Sequence, residues 1–203
     1  MRTMIRTITI VFFLLLPLNL FPQTSSMGLW GNVIETKAGT RLELRANKET
    51  TGEYALSITH RYQTLLGESL FLTINIPSRQ IDKFKSQLKQ LKRKYDEWYK
   101  IAKDNRVEHV EKDIPIALSA YGSMYGSKLS YPEEKEIKAT FFVYNYAIHC
   151  LIKVSISGYN TYQLSEWVLT STDLNTIISE IDKTIQHQRN YDSNQRHTQD
   201  LFQ

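Results

Sequence analysis

Apolar and polar residues alternate with a period of two over three stretches in the first half of the chain. Leu42, Leu44 and Ala46 alternate with Arg41, Glu43 and Arg45. Tyr54, Leu56, Ile58 and Tyr62 share one face of residues 53–62, and Leu70, Leu72, Ile74 and Ile76 share one face of residues 69–76. Successive side chains of a strand point to opposite faces, so each stretch predicts a half-buried strand. Val33 and Ile34 open a short strand before them, and residues 50–52 and 66–68 supply turns.

The period then changes. Ile81, Phe84, Leu88, Leu91, Tyr95, Trp98 and Ala102 recur at alternating steps of three and four. At about 100° per residue they occupy one arc of a helix. Pro77 ends the preceding strand, Ser78 is placed to cap the helix, and Asn105 to end it. Continuous heptads also allow a coiled coil, but the neighbouring strands need their apolar face covered. The stripe is therefore expected to pack within its own chain.

The second half repeats this grammar. Strands are expected at 107–112, 114–121, 137–146, 148–157 and 161–169, with a turn at 157–160. A helix starts after Ser171 or Thr172, with Asp173 in its first turn and an apolar stripe of Leu174, Ile177, Ile178, Ile181 and Ile185. The whole predicts an α+β fold: an antiparallel sheet with two helices, arranged as two strands-then-helix halves, 27–105 and 106–186. Residues 187–203 are polar and rich in Gln and Asn, and are expected to form a disordered tail.

The first 26 residues belong to a different class. A basic start with Arg2 and Arg6, an apolar run from Ile8 to Leu16 and then Pro17 form the pattern of a secretory signal peptide. Cleavage is expected after Ser26, with Gln23 as the alternative. The run is too short for a membrane span of ~20 residues, so the product is expected to be periplasmic or secreted, with no stable span in the mature single domain, 27–186.

Composition adds one local anomaly. The chain carries 25 Lys and Arg against 21 Asp and Glu, and removing Arg2 and Arg6 leaves a mild excess of 23 over 21. Nine basic and four acidic residues, however, lie between Arg79 and Asp104. Lys85, Lys89, Lys92, Arg93, Lys100 and Lys103 share one flank of the long helix, a face suited to an anionic polymer. The competing reading is a solvated face that keeps the helix soluble. A second candidate is a Gly/Ser loop bearing Tyr121, Tyr125 and Tyr131, whose rings would form a binding platform.

Signatures of catalysis are missing. In residues 122–126 the serine stands one place too early for a nucleophile elbow, and there is no phosphate loop, dinucleotide fingerprint or zinc spacing. No cofactor and no metal is expected. Cys150, the one cysteine, lies in an apolar run and reads as a small core hydrophobe. His149 beside it would point to the opposite face of a strand. Glu133, Glu134 and Glu136 read as a solvated turn or helix start.

Residues 92–98, continuing to 102–105, resemble a segment of secreted proteins of unknown function from Bacteroides-type bacteria, a likeness over about a quarter of the chain that implies export and no activity. The order of elements resembles the Whirly and PUR-type single-stranded nucleic-acid binding folds, in topology alone. Three functional expectations follow. The first is an exported, non-catalytic binding or structural protein whose partner is another protein or an unidentified ligand. The second is a binder of anionic polymer or single-stranded nucleic acid through the basic helix. The third is a hydrolase centred on His60 or His149.

Overall fold

The computed structural model describes residues 31–63, 69–125, 130–157 and 162–201. The expected leader lies outside them, as do the expected turn at 66–68 and all but Ser157 of the one expected at 157–160. Within the unit from Gly31 onward, eight strands form one antiparallel sheet in sequential order. They are β1 (Asn32–Glu35), β2 (Arg41–Lys48), β3 (Tyr54–Gln63), β4 (Ser69–Ile76), β5 (His109–Tyr125), β6 (Ser130–Tyr144), β7 (Ala147–Ser157) and β8 (Tyr162–Leu169). Helix α1 (Ile81–Asp104) follows β4, and α2 (Ser171–Asp200) follows β8. This is an α+β fold of two four-strand-then-helix halves joined through β4 and β5.

The alternation seen in the sequence sets the two faces. Leu42, Leu44, Leu56, Ile58, Leu72, Ile74 and Ile76 point inward from β2–β4, and Ile137, Ala139, Phe141, Val143, Cys150, Ile152, Trp167 and Leu169 from β6–β8. The outer face of the first half is polar. Asn47 donates to Ser57, Ser57 donates to Asn75, and Thr59 meets Thr73 at 2.8 Å. Those cross-strand hydroxyls and amides satisfy one another.

The helices are exchanged between the halves. α1 packs mainly on β5 and β6, whereas α2 packs mainly on β1, β2 and β3, and the two helices touch each other. Ile81, Phe84, Leu88, Leu91, Tyr95 and Ala102 are buried, and Trp98 packs edge-on to Phe141 at 5.7 Å. The heptad stripe thus covers the sheet of its own chain. Asn32 of β1 donates to Glu180 and Thr184 of α2, which fixes the second helix over the first strands.

Several local expectations are corrected. Ser78 does not cap α1: its hydroxyl donates to Glu49 Oε2 at 2.6 Å, the residues 78–80 form a short 3-10 turn, and the helix begins at Ile81. A carboxylate acceptor within reach outcompetes the orphan amides. The two strands expected at 107–112 and 114–121 are one strand, β5, because Pro115 falls where the register with β6 shifts between Ile114 and Leu118. A bulge tolerates the missing N–H. Tyr121 and Tyr125 lie in β5 and Tyr131 in β6, so they form no loop, and Glu133, Glu134 and Glu136 also lie in β6. The side chains of residues 121–136 lie outside the described part.

The polar tail is helical through Asp200. Its side chains bond one another a turn apart, Gln186 with Asn190 and Gln188 with Asp192. Tyr54 donates to Asp192 at 2.6 Å, which anchors the extension to β3 and lowers the pKa of that carboxylate. Arg189 adds an ion pair to Glu53 and lies over the Tyr54 ring; polar composition misled because local pairs and a few contacts to the start of β3 hold the helix.

Two buried groups carry chemistry that the core suppresses. Cys150 is fully buried, and burial pushes its thiol up to about 12. His60 is 8% exposed, and burial lowers its pKa from 6.5. The unfolded chain therefore binds a proton at higher pH than the folded one. Stability should be full above pH 6.5 and fall as pH drops toward the folded value. Urea midpoints measured between pH 7 and pH 5 should decline for the native chain and flatten for His60→Gln.

The helix exchange makes two further outcomes specific. Leu88→Ala should cost ~2–5 kcal/mol, the range for a buried large-to-small change, with a melting temperature independent of protein concentration. A fragment of residues 27–105 or 106–186 alone should give no cooperative thermal transition, because each sheet would lack the helix that covers it. A concentration-dependent melt or a folded half would contradict this packing.

Candidate functional site

The end of α1 and the start of α2 meet beside the β1–β2 turn, and each terminus is built by a local sequence device. α1 ends with Arg106 amide donating to Lys103 carbonyl at 3.2 Å and Val107 amide donating to Ala102 carbonyl at 2.9 Å. That is a Schellman closure, which requires a left-handed residue after the cap. Glycine is the usual occupant, yet here Arg106 takes it with φ +49°.

α2 begins with a capping box. Thr170 Oγ1 accepts the Asp173 amide at 3.3 Å, and Asp173 Oδ2 accepts the Thr170 amide at 2.7 Å. The other oxygen of Asp173 accepts the Lys37 amide at 3.3 Å. Asp173 is 5% exposed, so a buried carboxylate joins the first hairpin to the last helix. Gly39, at φ +83°, turns that hairpin. Its two threonines then reach β8: Thr36 donates to Val168 carbonyl at 3.2 Å, and Thr40 accepts the Val168 amide at 3.1 Å. The hydroxyls serve the edge strand as a neighbouring backbone would.

Between these parts lies a cleft of about 540 Å³. Lys37, Lys103 and Arg106 line it with Tyr95, Tyr99 and Tyr146 and with Thr170, Ser171 and Thr172 of the first turn of α2. Among the described residues no carboxylate, histidine or cysteine lines it. Tyr95 is buried and donates to Ile148 carbonyl at 3.1 Å; burial raises its pKa, so the phenol stays protonated. Tyr99 stands 6.1 Å from it, ring to ring, and is 39% exposed. Tyr146 is 62% exposed and occupies the two-residue β6–β7 turn with Asn145, both at positive φ. Such a turn favours Asn and Gly; a tyrosine there is strained.

The volume suits a small ligand. Three cations give it a positive lining, to which the positive end of the α2 dipole adds, part of it already balanced by Asp173. A second cleft of about 330 Å³, at the other end of the helix pair, is lined by Glu53, Asp82 and Asp182 with Arg189, a lining of the opposite, acidic sign.

The residues singled out from the sequence divide. Lys85 is engaged with Asp182 of α2 at 2.6 Å, and Lys92 with Asp96 one turn on at 2.5 Å, so both serve the fold. Lys89, Arg93 and Lys100 are exposed and have no ion-pair partner among the described residues. Lys103 continues their flank into the cleft. Sequence reasoning missed Lys37, Arg106, Tyr99 and Tyr146; a positively charged residue after a helix end and an Asn-Tyr turn are visible as isolated features, but nothing in the sequence brings them together.

The hydrolase expectation finds no assembled site. Cys150 points into the core and His149 lies on the other face of β7, while His60 faces inward between Leu42 and Leu72 in the strand register. Among the described residues no three His, Cys, Asp or Glu converge to hold a metal, and no helix is long and apolar enough to cross a membrane. The chain matches no protein-family model, no curated protein and no solved structure, so its function is argued from this geometry.

Proposed function

We propose that this chain is an exported, non-catalytic module that captures an anionic ligand in the cleft between α1 and α2. One observation carries the reading. Of three non-glycine residues held at positive φ among the described residues, two, Arg106 and Tyr146, line this one cleft. Each strained position costs of order 1–3 kcal/mol and persists only where the surroundings impose it. Glycine would relieve both. A guanidinium and a phenol ring in their place bring charge and an aromatic face to the same opening.

The lining also argues for binding over turnover. A hydrolytic site needs a nucleophile paired with a base, or a positioned acid. The cleft has amines, a guanidinium, phenols and hydroxyls; the one carboxylate described beside a hydroxyl, Asp173 at 2.6 Å from Thr170 Oγ1, is committed to the helix cap, where it also accepts the Thr170 and Lys37 amides. Export rests on the leader pattern alone.

Isothermal titration with sulfate, phosphate and glucuronate at low salt tests the reading. Saturable binding should weaken by about tenfold or more, the equivalent of 1.4 kcal/mol, in a Lys103→Glu, Arg106→Glu variant. Arg106→Gly separates function from fold: it should raise stability by about 1 kcal/mol, because glycine meets no left-handed penalty, while weakening the anion. Unchanged binding in Arg106→Gly together with the charge-reversed variant would refute the cleft.

A further inference from the structure

Resting on that reading, we propose that the ligand is a stretch of acidic polysaccharide, seated by one sugar in the cleft and continuing along the exposed flank of α1. Lys89, Arg93, Lys100 and Lys103 fall within about 80° of arc at 100° per residue. They extend over about 21 Å of helix at 1.5 Å per residue. Arg106 carries the line into the cleft. All five cations are exposed and have no ion-pair partner among the described residues.

Most of the acids beside this stretch are paired, and Asp82, on the same flank, lies seven residues before Lys89 and so outside the track. Asp96 is held by Lys92 and Glu97 by Lys94. Asp104, at the border of the arc, is the one carboxylate beside the track with no ion-pair partner among the described residues, so five cations face one free acid. A small anion would occupy only the cleft and leave Lys89, Arg93 and Lys100, up to two-thirds of the way back along the helix, without a counter-charge. A polymer bearing a carboxylate or sulfate on successive sugars would meet the cations in turn.

The distribution of aromatic rings selects the polymer. A single strand of nucleic acid is gripped by rings on which successive bases stack. Along the track the exposed rings are Tyr99 and Tyr146, both in the cleft; Tyr144, also exposed, stacks with Phe142 and meets His109 on β6 and β5, and Tyr191 lies on the α2 extension, so neither is on the α1 flank. Tyr95 is buried, and Trp98 lies on the packed stripe under Lys94 and Lys112, at 5.5 and 4.7 Å from its ring. From Lys89 to Lys100 the basic flank presents cations and no ring. One aromatic platform followed by a line of cations fits a sugar stacked at one end and a chain of acidic groups beyond it.

The test is chain length. Size-defined heparin-derived di- and octasaccharides are titrated into the purified protein, into a track variant (Lys89→Ala, Arg93→Ala, Lys100→Ala) and into the cleft variant (Lys103→Glu, Arg106→Glu), each first shown to melt cooperatively. The octasaccharide should bind on the order of tenfold tighter or more, because its further contacts are intramolecular once one sugar is seated. The track variant should lose that gain and keep the disaccharide affinity, and its salt dependence should fall by about one per lost contact. The cleft variant should lose both ligands. Equal affinity for the two lengths would overturn the polymer while leaving the cleft reading intact. No binding of either saccharide or of sulfate would overturn both. An oligothymidylate of matching charge that bound more tightly than the octasaccharide would assign the track to nucleic acid and overturn the saccharide.

Discussion

Each four-strand half of this protein exposes an apolar face that its own helix does not cover. The exchange of helices is the constraint from which the rest follows. α1 leaves the first half and lies on β5 and β6; α2 leaves the second and lies over β1, β2 and β3. Burial of Phe84, Leu88, Leu91, Leu174, Ile177 and Ile181 therefore requires both halves at once. Area removed from water is the dominant favourable term, and here neither half can gain it alone. The exchange also dictates where the helix ends fall: the last turn of α1 and the first turn of α2 are brought beside the first hairpin.

Asp173 pins that junction. A buried carboxylate without partners would be expensive; this one accepts amides from Thr170 and from Lys37, residues far apart in sequence. The same bonds that satisfy the carboxylate hold the backbone of Lys37 against α2 and so place its ammonium group at the cleft. Thr36 and Thr40 support the arrangement by capping the edge at Val168. Cation placement is thus a by-product of satisfying buried polar groups, and the site inherits the rigidity of the fold. The strain at Arg106 and Tyr146 is sustained for the same reason: a Schellman closure and a hairpin turn hold their backbones whatever residue occupies them.

Elements with a strong period were legible in the sequence. The stripe from Ile81 to Ala102 and the alternation in β2, β3 and β4 report local burial directly, and they fell where periodicity placed them. What failed was whatever depended on a distant partner. Ser78 looks like a cap until Glu49 arrives across 29 residues of sequence. The tail after His187 looks disordered until Tyr54 anchors Asp192. The Gly-Ser-Tyr segment looks like a loop, yet β4 pairs with it, Asn75 with Tyr121 and Phe71 with Tyr125, and draws it into the sheet. Of the cleft, only Lys103 stood in the list of basic residues, because Lys37, Arg106 and Tyr146 converge through tertiary contacts that no local pattern encodes.

The basic helix shows why a charge count is a weak guide to function. Six cations share its flank, and the fold engages two of them in different ways. Lys85 crosses to Asp182 and ties α1 to α2; Lys92 is bound to its own helix by Asp96. Exposed pairs of this kind contribute little stability, but each removes one cation from the field that an approaching ligand meets. The remaining cations are spaced along α1 in line with the cleft, on the side away from the packed stripe. They lead to a cleft lined by further cations, and the proposed reading rests on that continuity. Continuity between Lys89 and Arg106 therefore says more about function than the excess of basic residues that first drew attention to the helix.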